Sequence, residues 1–212
     1  MHQNRKRSSL VFPDGVRLAR LDELPGPELT RAKAWESIQS AAICPGFRAN
    51  PSGDPRFSTY AEANVDAPEI WGVFVALCEA LIRDVACLLI GNIDDEPSNV
   101  GPFSTTSLLR LLEAHRYQLA NDGSVQFGLI EEREESIVEI LVTPTKHFKV
   151  WTSDERALRT AFARHGIAEV TELQFLDQFP RTTESLGQEQ GVVLDAEELV
   201  KLLREGPQQP RH

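Results

Sequence analysis

Between Ser124 and Trp151 the chain carries three short runs of strand character, and the links between them are too short for anything but antiparallel neighbours. The runs are 124–130, 136–142 and 146–151, joined through Glu131 to Glu135 and through Thr143-Pro144-Thr145. A parallel return needs a crossover of about a dozen residues, which neither link provides. Val125, Phe127 and Leu129 alternate with Gln126 and Gly128, and Phe148 and Val150 alternate with His147, Lys149 and Trp151. One face of this meander is therefore expected to meet a core and the other to be partly wet.

Helical patterns surround the meander. Leu29, Ala32, Trp35, Ile38 and Ala42 recur at helical spacing until Cys44-Pro45-Gly46. From 70 to 82, Ile70, Phe74, Leu77 and Leu81 mark one apolar face and Trp71, Val75, Cys78 and Ile82 its neighbour, the pattern of a buried helix. The run 85–90 that follows is continuous, apolar and closed by Gly91-Asn92, which suits a strand covered on both sides. Ser104 is placed to cap a helix, with Phe103 and Leu108 forming a hydrophobic staple. Thr152 with Glu155 and Asp195 with Glu198 have capping-box spacing, and Gly166 and Gly206 stand where the helices after them would end. Residues 45–68, rich in Pro, Gly, Asn and Ser, read as a long surface loop, and 173–176 as a short edge strand. The expected fold is α+β: an antiparallel meander flanked by helices, one layer of sheet packed on helices. A basic, turn-rich lead (1–26) of partial order, one domain (27–206) and a flexible tail (207–212) complete the expectation.

The net charge is −10, and it is unevenly placed. From Asp84 to Glu139 there are eleven acids against three bases. Carboxylates repel phosphate backbones, so direct nucleic-acid binding by this region is disfavoured, whereas a basic protein partner is not. The apolar stretch at 70–82 is too short to span a bilayer. Arg5, Lys6 and Arg7 are followed only by Leu10 to Phe12 and then Pro13-Asp14-Gly15, so export by a signal peptide is not expected. Cys44, Cys78 and Cys87 are odd in number and lack C-x-x-C spacing, which fits reduced thiols in the cytoplasm.

Motifs for chemistry are sparse. None of His2, His115, His147, His165 and His212 forms a close ligand pair, and the sequence holds no phosphate-cradling glycine loop and no nucleophile elbow, so no cofactor or metal is expected. Cys44 at a turn, with His115, His147 or His165, is the one arrangement open to thiol hydrolysis, set against its reading as a small apolar residue at a helix end. His147 reads as a solvated sheet-face residue, and His115 and His165 as complements to helix C-termini. The acidic runs Asp94-Asp95-Glu96 and Glu131, Glu132, Glu134 and Glu135 both fall near turns bounding the sheet and would form one negative rim if the fold joined them. As an interface they would take a basic partner; otherwise they are solvated turns.

The stretch from Lys146 to Glu155, followed by Leu173-Gln174-Phe175-Leu176-Asp177-Gln178-Phe179-Pro180-Arg181, resembles the C-terminal part of small bacterial immunity proteins, the antitoxins encoded beside polymorphic or contact-dependent toxins. The resemblance covers about one fifth of the chain and carries no diagnostic motif. It implies a non-enzymatic cytoplasmic protein that neutralises one cognate toxin, many of which are basic nucleases. An acidic regulatory protein that imitates DNA toward a nucleic-acid enzyme shares the same charge feature.

Overall fold

The computed structural model describes residues 9–207 of the chain. In chain order the elements are β1 (Val16–Leu18), α1 (Glu28–Ser40), β2 (Gly46–Pro51), β3 (Thr59–Asn64), α2 (Ile70–Leu81), β4 (Val85–Asn92) and β5 (Ser98–Ser104). They continue with α3 (Thr105–Glu113), α4 (Arg116–Asn121), β6 (Val125–Glu132), β7 (Ile137–Val142), β8 (Phe148–Thr152), α5 (Glu155–Arg164), β9 (Arg181–Thr183) and α6 (Ala196–Arg204). Seven strands form one antiparallel sheet in the order β2-β3-β8-β7-β6-β4-β5, and β1 pairs with β9 in a small second sheet. The α+β class and the β6-β7-β8 meander are as the sequence predicts.

One parity of each strand points into the main core. Ala61 and Ala63, Leu88 and Ile90, Phe127 and Leu129, Ile140 and Val142, and Phe148 and Val150 join residues of α2 to α6 in a single apolar cluster. These five helices therefore cover one side of the sheet. Phe74 of α2 packs edge-on against Phe127 with centroids 4.9 Å apart, and Phe162 of α5 stacks on Phe47 at 4.7 Å. The expected caps at Ser104 and Asp195 form: Ser104 Oγ accepts the Ser107 N–H at 3.2 Å, and the Asp195 carboxylate accepts the Glu198 N–H at 2.8 Å.

Several local expectations are corrected. Residues 45–68 are a hairpin, β2 and β3, rather than a surface loop, with Gly46 opposite Asn64 and Pro51 opposite Thr59. Apart from Phe47, their buried positions are filled by Gly46, Thr59, Ala61, Ala63 and Asn64, which give little apolar signal, and the free edge of β8 supplies the ladder that makes β3 a strand. β5, whose sequence Ser98 to Ser104 is polar and contains a proline, takes the opposite edge, where a missing N–H is tolerated. The cap of α5 is Asp154, which accepts the Ala157 N–H at 2.8 Å, and not Thr152. Leu173, Phe175 and Leu176 are buried without forming a strand; a single 3-10 turn follows at Leu176–Gln178.

Within the basic lead, residues from Ser9 onward are tied down. Ser9 and Leu10 donate to the Ile43 carbonyl, β1 pairs with β9, and Val16 joins Ile43 and Leu176 in a second small core. The expectations for 1–8 and 208–212 lie outside the described residues. Among the described residues no helix is long and apolar enough to cross a membrane.

Candidate functional site

The side of the sheet away from the helices carries the opposite strand parity. Cys87, Leu89, Ile130, Ile137 and Leu141 form a separate apolar cluster there. Beside it the strand register lines up Tyr60, Trp151, Glu139 and Ile130 in one row, and Glu62, Lys149, Leu141, Gly128 and Leu89 in the next. The Tyr60 and Trp151 rings are 5.1 Å apart, and both side chains are half-buried. This outer face is thus an apolar and aromatic band laid across five strands, with charged residues between. Leu89, Ile130 and Ile137 in this band are buried, at 6%, 9% and 8% exposure, so its part-exposed apolar surface is carried by Tyr60, Trp151, Leu141 and Cys87.

The two acidic runs stand at opposite ends of β6, one on each side of that band. Asn92, just before Asp94-Asp95-Glu96, pairs with Val125 at the start of β6, whereas Glu132 closes β6 at its far end. At ~3.3 Å per residue the ends of β6 are about 23 Å apart, so the single negative rim expected from the sequence does not form. Asp94, Asp95 and Glu96 are all exposed, and the Asp95 carbonyl accepts from Gln126 Nε2 at 2.7 Å, which ties their turn to one end of the outer face. Glu132, Glu134 and Glu135 are exposed at the other end. Glu131 differs. It is 8% exposed, lies on the core parity of β6, accepts the Arg83 N–H at 3.1 Å and holds Arg133. Glu131 is therefore a structural carboxylate and not a free surface charge.

The histidines and thiols are also placed. His147, expected to be solvated, is 4% exposed and packs 5.0 Å from the Phe175 ring centroid. The segment around Phe175 covers that end of the outer face, and Arg48 lies over the same ring. His147 Nδ1 is 3.0 Å from both the Thr143 and the Thr145 hydroxyls, its Nε2 has no partner, and burial pushes its pKa down to about 4. Among the described residues, the ring's hydrogen bonds are to hydroxyls and not to a thiol. His165 Nδ1 lies 3.5 Å from Glu69 Oε2, and His115 is lowered by burial. Cys78 is fully buried, which raises its thiol well above the ordinary range; Cys87, on the outer face, is raised by burial and then by Glu132. Cys44 is half-buried, and its carbonyl accepts from Asn64 Nδ2 at 3.2 Å. Among the described residues no group of three or more His, Cys, Asp or Glu could hold a metal ion.

Sequence reasoning missed Lys146 altogether. Its backbone is left-handed, with φ 61°, and its side chain runs into the core, where Nζ donates to the carbonyls of Leu119 at 2.9 Å and Val125 at 2.6 Å. Burial lowers its pKa to about 7 despite the opposing charge of buried Asp122. The Asp122 carboxylate is itself held by the N–H groups of Ser124 and Leu186 and by Gln118 Nε2. This polar group ties the β7–β8 link to the start of β6, and it lies inside the fold rather than at a surface open to a ligand.

No family model matches the chain, and no curated protein and no solved structure matches it.

Proposed function

We propose that the protein is a non-catalytic binding protein that docks a basic protein partner on the outer face of its seven-stranded sheet. In the form implied by the immunity-protein resemblance, that partner is a cognate toxin held in a stoichiometric, neutralising complex. The observation that carries the reading is the arrangement of the outer face: the part-exposed Tyr60, Trp151 and Leu141 lie side by side, with exposed carboxylates at both ends of β6. The part-exposed faces of Tyr60, Trp151 and Leu141 supply apolar area that a partner would remove from water. The separated carboxylates supply a field that attracts and orients positive charge, which acts mainly on the association rate.

The test places a photo-crosslinking residue at Lys149 on the outer face or, as a control, at Arg156 on α5, in protein made by its native cell. The expected result is one basic protein crosslinked from position 149 and none from position 156. Neutralising Asp94, Asp95, Glu96, Glu132, Glu134 and Glu135 together is expected to slow association with that protein about tenfold at low salt. A partner reached only from α5, or association that ignores both salt and the six carboxylates, would overturn the reading.

A further inference from the structure

At the centre of the outer face is a carboxylate without a partner. Glu139 on β7 stands directly across from Trp151 on one side and Ile130 on the other. Trp151 in turn stands across from Tyr60. The neighbouring carboxylate in the next row is engaged, since Glu62 accepts from Arg48 Nε at 2.9 Å. Glu139 has no hydrogen-bond or ion-pair partner among the described residues. Lys149 on the same face stands opposite Glu62 and Leu141, diagonal to Glu139, and makes no ion pair with it.

Half-buried between an indole and an aliphatic side chain, Glu139 loses hydration without gaining a hydrogen bond, an arrangement that costs free energy in the isolated protein. Burial, and then the charge of Glu132, push its carboxyl above the usual carboxylate range. The cost of both is offset by one event, the arrival of a positive group. The adjacent Trp151 ring offers the negative π face that such a group also prefers.

We infer that Trp151 and Glu139 form the anchoring subsite for an arginine side chain of the docked partner, its guanidinium stacked on the indole and paired with the carboxylate. This rests on the docking of a basic partner on the outer face proposed above. Arginine is favoured over lysine because a planar guanidinium can stack on a ring and bind a carboxylate through two parallel N–H groups together, which a compact ammonium cannot. Tyr60, beside Trp151, extends the aromatic surface under the arginine stem. The acidic turns at the two ends steer the partner; the central pair holds it. Loss of the pair is therefore expected to raise the dissociation rate, and loss of the turns to lower the association rate.

The experiment titrates the full chain with N-acetyl-arginine amide, N-acetyl-lysine amide and neutral N-acetyl-citrulline amide, following the indole N–H resonance of Trp151, assigned by its loss in Trp151→Phe. The expected result is a saturable shift with the arginine probe, a weaker response with lysine and none with citrulline. Glu139→Gln is expected to weaken the arginine response at least about fivefold, while Asp94→Asn, Asp95→Asn and Glu96→Gln together leave it unchanged. Shifts confined to the acidic turns, an equal response in Glu139→Gln, or equal binding of citrulline would overturn the subsite. The two proposals fail separately. A partner that crosslinks from position 149 and binds Glu139→Gln with unchanged dissociation removes the anchor and leaves the docking face. An arginine response on Trp151 with no protein reached from position 149 removes the docking face.

Discussion

The ammonium of Lys146 lies 2.6 Å from the carbonyl oxygen of Val125, inside the core and 5.8 Å from the centroid of the Phe127 ring. Desolvation there lowers the Lys146 pKa from 10.5 to about 7. Between those values the unfolded chain binds a proton that the folded chain does not, so this group makes stability rise with pH from about 7 to about 10.5 and leaves it flat below and above. A shift of that size corresponds to on the order of 5 kcal/mol across the window. Lys146→Met keeps the stem and the backbone geometry and removes the titration. The difference in unfolding free energy between wild type and Lys146→Met, followed by urea denaturation from pH 7 to 10, is expected to grow in favour of wild type. A constant difference would show that the amine is not buried as described.

His147 has the same sign at lower pH. Its folded pKa of about 4 lies below the ordinary 6.5, through burial first, opposed by the Asp177 charge and helped by the weaker effect of Lys149. The folded protein therefore keeps His147 neutral while the unfolded chain protonates, and stability from this residue is full above pH 6.5 and lost as pH falls toward 4. His147→Phe is expected to flatten the acid limb of the stability curve by up to ~3 kcal/mol. The ring C–H resonance of His147 should show no titration step between pH 5 and 8, and a step near 6.5 would contradict the burial.

The contrast between Glu131 and Glu132 tests which acidic residues belong to a binding face. Glu131→Ala strands the Arg83 N–H and frees Arg133, so a loss of ~1–3 kcal/mol is expected. Glu132→Ala, at an exposed position, is expected to stay within ~0.5 kcal/mol of wild type. Chemical denaturation of the two variants separates these outcomes, and equal losses would mean that Glu131 is not structural.

What could be read from the sequence follows the strength of local signals. β6 to β8, α2, α3 and α6 were legible because their apolar residues repeat with an unmistakable period and their caps are one or three residues away. The hairpin of β2 and β3 was not, because Gly46, Ala49, Ala61 and Ala63 carry too little apolar contrast and the pairing partner, β8, lies far along the chain. Thr152 read as a cap by spacing alone, yet it is the last residue of β8, opposite Thr59, and its hydroxyl accepts the Asp154 N–H at 3.0 Å, so the helix is capped by Asp154. The parity of His147 was legible, but its cover, Phe175, comes from a segment whose placement no local pattern reveals. For the candidate site the acidic residues were visible by charge. The aromatic pair was hidden because Tyr60 lay in what read as a loop, and the fate of Glu131 was hidden because only the fold brings Arg83 to it.

A tight backbone crossing at Gly15 and Gly123 holds the lead segment. The Gly15 N–H donates to the Asn121 carbonyl at 2.9 Å, its own carbonyl accepts from Glu184 at 2.8 Å, and Gly123 donates to the Glu184 carbonyl at 3.1 Å. Three distant segments thus cross at one point, and a Cβ on Gly15 would sit 2.5 Å from the Glu184 oxygen and 2.7 Å from the Gly123 nitrogen. A Cβ on Gly123 would collide with the Gly15 carbonyl oxygen. Because the obstacles are backbone atoms in a hydrogen-bonded crossing, no rotamer change relieves them. Gly15→Ala and Gly123→Ala are each expected to destabilise by ~2–4 kcal/mol, and the double variant by less than the sum, since one opening of the crossing accommodates both. Hydrogen exchange should then show the amides of β1 and β9 exposed while those of β6 and β7 stay protected, because the small sheet is joined to the main one through this crossing. Equal loss of protection in both sheets would instead show that the lead segment and the main core unfold as one unit.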